Sequence, residues 1–133
     1  MSRTRSLQFH RGQVTGEWAF CECFDIPFEP DSDGQYAVVL DGVSVEIEPA
    51  EDMAKPVLRF DRRNDFRKDV TVLTRSYDRA CELLGWIDRD RFRTLFKQSA
   101  ALGFGVRPLV LEPSALLPMK ELRAFVREKR RAA

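Results

Sequence analysis

Carboxylates dominate the first part of the sequence and are its most distinctive chemical feature. Between Gly12 and Ala54 there are eleven Asp and Glu residues and no Lys or Arg. The rest of the chain therefore holds all 22 basic residues against only ten acidic ones. The net charge of +1 conceals this division. Because opposite fields attract different partners, the division bears on binding rather than on fold.

Glu46 and Glu48 form the most regular part of this acidic region. They alternate with β-branched residues in V-S-V-E-I-E, from Val43 to Glu48, which predicts that both carboxylates project from one face of a strand. A row of carboxylates on a rigid sheet favours binding to a basic protein surface, including a groove built for nucleic-acid phosphates. The predicted acidic face consists of Glu22, Asp31, Asp33, Glu46, Glu48 and Glu51.

The same carboxylates have an alternative use, in which they neutralise the basic part of this chain. Such pairs would form within the monomer or across a homodimer. Exposed ion pairs stabilise a protein by only about 0–1 kcal/mol each. Both explanations of the acidic region concern binding rather than catalysis.

Arginines in the second half predict a different chemistry, namely contact with nucleic-acid phosphates. The candidate nucleic-acid-binding residues are Arg62, Arg63, Arg67, Arg89, Arg91, Arg93 and Lys97. Phe60 and Phe66 are interleaved with the first three arginines, a pattern typical of base stacking in single strands. The nearby Asp61, Asp65 and Asp69 favour instead a charged surface loop.

Residues 76–98 resemble a helix-turn-helix motif. A small residue, Cys81, precedes Gly85 by four positions, and an arginine-rich amphipathic segment follows. In that motif the second helix enters the major groove of DNA. The sequence departs from the pattern because Arg91 stands where the first buried residue of the second helix belongs. An ordinary helical hairpin with a solvated arginine face is the alternative.

Cysteine and histidine supply the candidates for nucleophilic catalysis. His10 is a candidate base, and Cys21, Cys23 and Cys81 are candidate nucleophiles. Their spacing matches neither a redox pair nor a usual zinc ligand set. We therefore expect no metal and no cofactor, and a small Cys/His enzyme is the second alternative.

The elements that must position these residues indicate an α+β fold. We predict an antiparallel sheet of about four to six strands, from the N-terminal half plus one strand near 106–111. Alternation in residues 17–23 predicts a strand, and the Asp41-Gly42 pair predicts a tight hairpin turn. A helical hairpin at about 75–101 and a C-terminal helix at about 118–130 are expected to cover one face. Residues 1–133 are expected to form a single globular domain.

The overall composition narrows the class of protein. No apolar run approaches the roughly 18 residues needed to span a bilayer, and no signal peptide is recognisable. The odd number of cysteines favours a reducing, cytoplasmic location. We therefore predict a small non-enzymatic binding protein that acts as an inhibitor, accessory or assembly subunit. Its small size would suit a phage or mobile element. A basic protein partner is favoured, nucleic acid is the alternative, and no membrane is expected.

Overall fold

The computed structural model describes residues 11–28, 38–77, 80–101 and 108–132. Its helices and strands are α1 (Arg11–Phe24), β1 (Val38–Leu40), β2 (Val43–Pro49), β3 (Leu58–Phe60), β4 (Val70–Ser76), β5 (Cys81–Asp88), α2 (Arg89–Ala101), β6 (Leu109–Leu111) and α3 (Leu122–Ala132). In this part of the chain, no helix combines the length and the apolar character needed to cross a membrane.

The strands form two sheets, and the predicted α+β class is confirmed. The larger sheet has the order β1-β2-β4-β5, and the smaller one pairs β3 with β6. The larger sheet is mixed rather than antiparallel throughout, because β2 and β4 run parallel. Parallel pairing is available there because the connection between them is long and includes β3.

The predicted hairpin at Asp41 and Gly42 is confirmed. Both residues have positive φ, 49° and 85°, as a two-residue turn between twisted strands requires. The turn sets the register in which Leu40 pairs with Val43. The apolar side chains of β2 are buried, and Glu46 and Glu48 therefore lie together on the opposite face of that strand.

The predicted helical hairpin at 75–101 is wrong, because its first half, residues 81–88, is strand β5. Only the second half forms a helix, α2. Strand β5 is buried on both faces, with Trp86 in one core and Ile87 in the other. A strand buried on both faces has apolar residues at consecutive positions, and this pattern was misinterpreted as the apolar face of a helix. Gly85 is no helix cap: a Cβ there would lie 2.6 Å from the Cβ of Leu116, so the glycine permits close packing.

The predicted strand at residues 17–23 is also wrong, because these residues belong to helix α1. Positions 17, 20, 21 and 24 are buried, and this spacing fits one face of a helix. The helix ends at Phe24, and the next residue, Asp25, has a φ of 55°, in the left-handed conformation common after helices. Arg123 of α3 donates a hydrogen bond to the carbonyl oxygen of Phe24 at 2.7 Å and so caps the helix.

The larger sheet has a hydrophobic core on each face. On one face, Phe20 of α1 and Leu122 and Val126 of α3 pack against the sheet. On the other face, Phe60 of β3, Phe92 of α2 and Leu111 of β6 form the second core. The predicted C-terminal helix and the predicted strand within 106–111 are both confirmed. The candidate arginines lie next to this second core, in the segment between β3 and β4 and on α2.

Candidate functional site

An acidic cleft lies where β2 meets β3 and the segment after it. Its volume is about 380 Å³. Its charged lining comprises the carboxylates of Glu46, Glu48, Glu51, Asp52 and Asp65 and the guanidinium groups of Arg59 and Arg67. These seven residues carry a net charge of −3. Pro49 and Val57 add half-buried apolar surface to its walls.

The carboxylates of the acidic cleft fall into two groups. Asp52 accepts hydrogen bonds from the backbone N–H groups of Ala54 and Lys55, and Asp65 accepts them from nearby backbone N–H groups as well. These two carboxylates therefore stabilise the local backbone conformation. The side chains of Glu46, Glu48 and Glu51 form neither a hydrogen bond nor an ion pair with any residue that the structure describes.

Among the three unpaired carboxylates, the pKa of Glu48 is shifted by its surroundings. Partial loss of water around Glu48 raises the pKa of its carboxyl group, and the charges of Glu46 and Glu51 raise it further. Arg67 opposes this shift but does not cancel it. The cleft therefore concentrates negative charge beyond what its own cations neutralise. A cation from outside would relieve this repulsion.

The structure brings together only part of the predicted acidic face. Glu46, Glu48 and Glu51 line the acidic cleft as one group. Glu22 is exposed on α1 and is not part of the cleft lining. Asp31 and Asp33 lie outside the described residues. Asp52, next to Glu51, was not included in the predicted face, and Asp65 was missed because it is distant from β2 in sequence.

A second cleft, the arginine cleft, is lined by other residues of the segment 63–67 and by α2. It has a volume of about 160 Å³ and is lined by Arg63, Asn64, Phe66, Arg89, Phe92 and Arg93. The 3₁₀ turn Arg63–Asp65 supplies its first wall, and the first turns of α2 supply the second. No carboxylate is part of this lining.

Arg89 is the anchored member of the arginine cleft. Its Nη2 atom donates hydrogen bonds to the carbonyl oxygens of Arg67 and Lys68, at 3.2 and 2.8 Å. Its guanidinium carbon lies 5.9 Å from the centre of the Phe66 ring. Arg63 and Arg93, by contrast, are exposed and form no side-chain hydrogen bond or ion pair with the described residues.

The predicted nucleic-acid-binding residues are likewise divided. Arg63, Arg89 and Arg93 meet in the arginine cleft, whereas Arg67 lines the acidic cleft. The exposed side chains of Arg62, Arg91 and Lys97 line neither cleft. The helix-turn-helix prediction for residues 76–98 is wrong, because β5 replaces the first helix.

The predicted role of the aromatic residues in base stacking is also wrong. Phe60 and Phe66 are only 4% exposed, and both belong to the second core. Phe66 stacks on Phe92 with ring centres 4.7 Å apart. Phe66 and Phe92 line the arginine cleft, but both rings are buried and therefore offer no exposed face to a base.

Glu17 is a buried acid that the sequence-based interpretation overlooked. It is 2% exposed, and its Oε2 atom has no hydrogen-bond partner among the described residues. Burial raises its pKa to about 8, the charge of Glu46 adds to the shift, and Lys68 opposes it. Glu17 was missed because this segment was interpreted as a strand, whereas helix α1 buries the Glu17 side chain.

The three candidate nucleophiles differ in their exposure to solvent. Cys21 is buried, and burial together with the charges of Glu17 and Glu22 raises the pKa of its thiol. A raised pKa disfavours the reactive thiolate. Cys23 is exposed, Cys81 is half-buried, and His10 lies outside the described residues. Among the described residues, no group of three or more His, Cys, Asp or Glu side chains is placed to hold a metal ion.

Comparison with known proteins adds no relative to this description. No family model matches the chain, and no curated protein or solved structure shows significant similarity to it. The function is therefore inferred from the two clefts themselves.

Proposed function

We propose that this is a non-enzymatic binding protein whose acidic cleft receives basic side chains of a protein partner. The observation that carries the proposal is the group formed by Glu46, Glu48 and Glu51. These carboxylates share one cleft and lack ionic partners among the described residues. An inhibitor, an accessory protein or an assembly subunit would use such a surface in the same way.

The charge of the cleft favours a cationic ligand over a neutral one. Partial burial, and after it the nearby charges of Glu46 and Glu51, raise the pKa of Glu48, so the free cleft disfavours its ionised form. An ammonium or guanidinium group placed between the carboxylates would favour the ionised form and release the bound proton. Binding of a basic partner is therefore expected to strengthen as the pH rises above the ordinary pKa of a glutamate.

The shape of the cleft favours a long side chain. Pro49 and Val57 offer apolar contact to the methylene groups of Lys or Arg, while the carboxylates contact the charged end. Arg has an additional advantage, because its planar guanidinium donates two parallel hydrogen bonds to one carboxylate. An arginine-rich segment is therefore the preferred ligand.

A direct test uses a fluorescein-labelled oligoarginine peptide and fluorescence anisotropy. The double variant Glu46→Gln with Glu48→Gln removes two charges from the cleft while keeping the shape of the side chains. We expect it to weaken peptide binding by about tenfold or more, since each close charged hydrogen bond contributes roughly 1.5–3 kcal/mol.

The matched control removes two charges elsewhere, through Glu22→Gln with Glu121→Gln. Both residues are exposed and neither lines the acidic cleft. We expect a loss of less than about threefold, from the changed net charge alone. Equal losses in the two double variants would show that binding depends on total charge and would contradict the proposal.

Self-association is the competing use of the same carboxylates, as the homodimer alternative requires. Sedimentation velocity of the wild-type protein at low salt detects it. Self-association that Glu46→Gln with Glu48→Gln abolishes would identify a second copy of this chain as the basic partner. Absence of self-association together with peptide binding would support a different protein as the partner.

A further inference from the structure

We propose that the arginine cleft is a binding site for a phosphate group. The site is independent of the acidic cleft and of the function proposed for it. Its three guanidinium groups come from two elements that are distant in sequence, the turn at Arg63 and the start of α2. Their convergence, rather than the arginine content of either segment, carries the proposal.

The charge and the donors of the arginine cleft suit a multivalent oxyanion. Three positive side chains and the amide of Asn64 surround a small space whose lining contains no carboxylate. A single guanidinium can donate hydrogen bonds to both oxygens of a carboxylate ligand. Three guanidinium groups therefore provide more donors than a carboxylate can accept. A phosphate group offers more oxygens and more negative charge.

The anchoring of Arg89 prepares the cleft for binding. Two backbone carbonyls and the Phe66 ring hold this side chain in place before any ligand arrives. The carbonyl bonds engage only Nη2, and the other guanidinium N–H groups have no partner among the described residues. Because Arg89 is already ordered, binding costs less conformational entropy than three free arginines would require.

The dimensions of the cleft restrict the ligand. At about 160 Å³ it is smaller than the roughly 300 Å³ at which pockets for drug-sized molecules begin. It therefore fits a phosphate group but not a whole nucleotide. Since Phe66 and Phe92 are buried, base stacking is unavailable, and contact with a nucleic acid would be limited to its backbone.

Two sources of a phosphate group share this chemistry: a free phosphate ion and the backbone of a nucleic acid. Two further exposed cations, Arg62 beside Arg63 in sequence and Lys97 one helical turn after Arg93 on α2, favour the backbone. Binding would then be independent of base sequence and strongly dependent on salt.

The test uses fluorescence anisotropy with a short labelled oligodeoxythymidylate at low and at near-physiological salt. Inorganic phosphate is added as a competitor, with sodium chloride at equal ionic strength as its control. The test variant is Arg63→Gln with Arg93→Gln, because both side chains are exposed and unpaired and their removal should not disturb folding. The charge-matched control is Arg91→Gln with Arg127→Gln, two exposed residues outside the cleft lining.

We expect the test variant to bind the oligonucleotide at least about tenfold more weakly at low salt. The slope of log affinity against log salt should fall by about 1.4, since each contact with a single strand contributes about 0.7. The control variant should change the affinity by less than about threefold.

A competing effect of inorganic phosphate beyond that of sodium chloride would support a site for the phosphate group itself. Because the molecule displaced in that experiment is the oligonucleotide, the same result would identify the nucleic-acid backbone as one source of the phosphate group. If no oligonucleotide binds, isothermal calorimetry with inorganic phosphate tests the free ion, and binding that the test variant loses would support that source. Absence of both kinds of binding at low salt, or equal losses in the two double variants, would overturn the proposal.

Discussion

The acidic cleft and the arginine cleft are both lined by residues of the segment 63–67, yet they differ in how their charges are held. In the acidic cleft, Glu46, Glu48 and Glu51 have no ionic partner among the described residues. Partial burial, together with the charges of Glu46 and Glu51, raises the pKa of Glu48. In the arginine cleft, backbone carbonyls hold Arg89 while Arg63 and Arg93 remain exposed. The crowded carboxylates of the acidic cleft indicate a surface that a bound cation would stabilise. The anchored Arg89 indicates that the arginine cleft is already arranged for its ligand.

One short segment of mixed charge, residues 63–67, contributes side chains to both clefts. Segment 63–67 contributes Asp65 and Arg67 to one cleft and Arg63, Asn64 and Phe66 to the other. Neighbouring residues of this segment therefore belong to different clefts. The two binding surfaces can be tested separately because no residue lines both of them.

The largest expected effect is on peptide binding by a charge reversal, Glu46→Lys with Glu48→Lys. Two repulsive contacts replace two attractive ones, and like charges at an interface cost several kcal/mol. We expect oligoarginine affinity to fall by about 100-fold or more in anisotropy measurements. Oligonucleotide binding should not weaken, because the arginine cleft is unchanged. A parallel loss of both activities would show that the clefts are not separate sites.

The second effect concerns the pH dependence of stability that Glu17 produces. Its folded-state pKa of about 8 lies above the ordinary value of 4.5, so its stabilising contribution is complete below pH 4.5. That contribution is lost as the pH rises towards 8, because the unfolded state ionises first. We expect Glu17→Gln to raise the free energy of unfolding at neutral pH by roughly 2–3 kcal/mol.

Urea unfolding between pH 4 and pH 9 measures this effect. The Gln variant should lose most of the decline seen in the wild-type protein, and Glu22→Gln on the exposed side of α1 should retain it. A Gln variant that follows the wild-type pH profile would contradict a buried, neutral Glu17.

The third effect separates structural carboxylates from those of the acidic cleft. Asp69 accepts hydrogen bonds from the backbone N–H and the hydroxyl of Ser44, both at 3.0 Å, and pairs with Lys129 at 3.4 Å. Burial alone would raise its pKa, but the bonds from Ser44 and the charge of Lys129 hold the pKa below its usual range. Its stabilising contribution is therefore present above the unfolded-state pKa of 3.8 and is lost as the pH falls through the lower folded value.

We expect Asp69→Asn to lower the free energy of unfolding by about 1–2 kcal/mol at neutral pH, because charged hydrogen bonds are lost. Asp61→Asn is the control, since the ion pair of Asp61 with Arg59 is exposed and is expected to contribute little. Urea titration distinguishes the two variants. Equal stability of both variants would show that Asp69 is a surface carboxylate without a structural role.

The smallest effect is expected from Glu48→Gln. Its folded-state pKa is raised, so its ionisation opposes folding above the ordinary pKa of a glutamate. Because the side chain is exposed, solvent screening limits the effect to well under 1 kcal/mol. The variant should be as stable as the wild-type protein or slightly more stable at neutral pH. A clear loss of stability in urea would mean that Glu48 has a structural role rather than a binding role.

Local signals in the sequence predicted those elements that depend on local chemistry. The Asp41-Gly42 turn, the alternation in β2 and the amphipathic C-terminal helix were all recognisable, because each is fixed by residues close in sequence. The α+β class followed from these elements. Grouping of Glu46, Glu48 and Glu51 was also predictable, since strand alternation and the end of β2 place them near one another.

The errors arose where tertiary packing overrides local pattern. Strand β5 is buried between two cores, so Trp86 and Ile87 gave it apolar residues on both faces and a helix-like pattern. Helix α1 carries an exposed Trp18 and a buried Glu17, which reverses the usual assignment of polar and apolar residues. Convergence of Arg63 with Arg93 depends on the packing of Phe66 against Phe92, which sequence spacing does not reveal.

The most direct test of two separate clefts is a titration of isotopically labelled protein with oligoarginine, followed by backbone amide chemical shifts. We predict that the largest shifts fall on residues 46–52 and 65–67, around the acidic cleft, and that Arg93 and its neighbours on α2 change little. Shifts spread evenly over exposed carboxylates such as Glu22 and Glu121 would contradict the central claim, because they would show attraction to overall charge and not to a cleft.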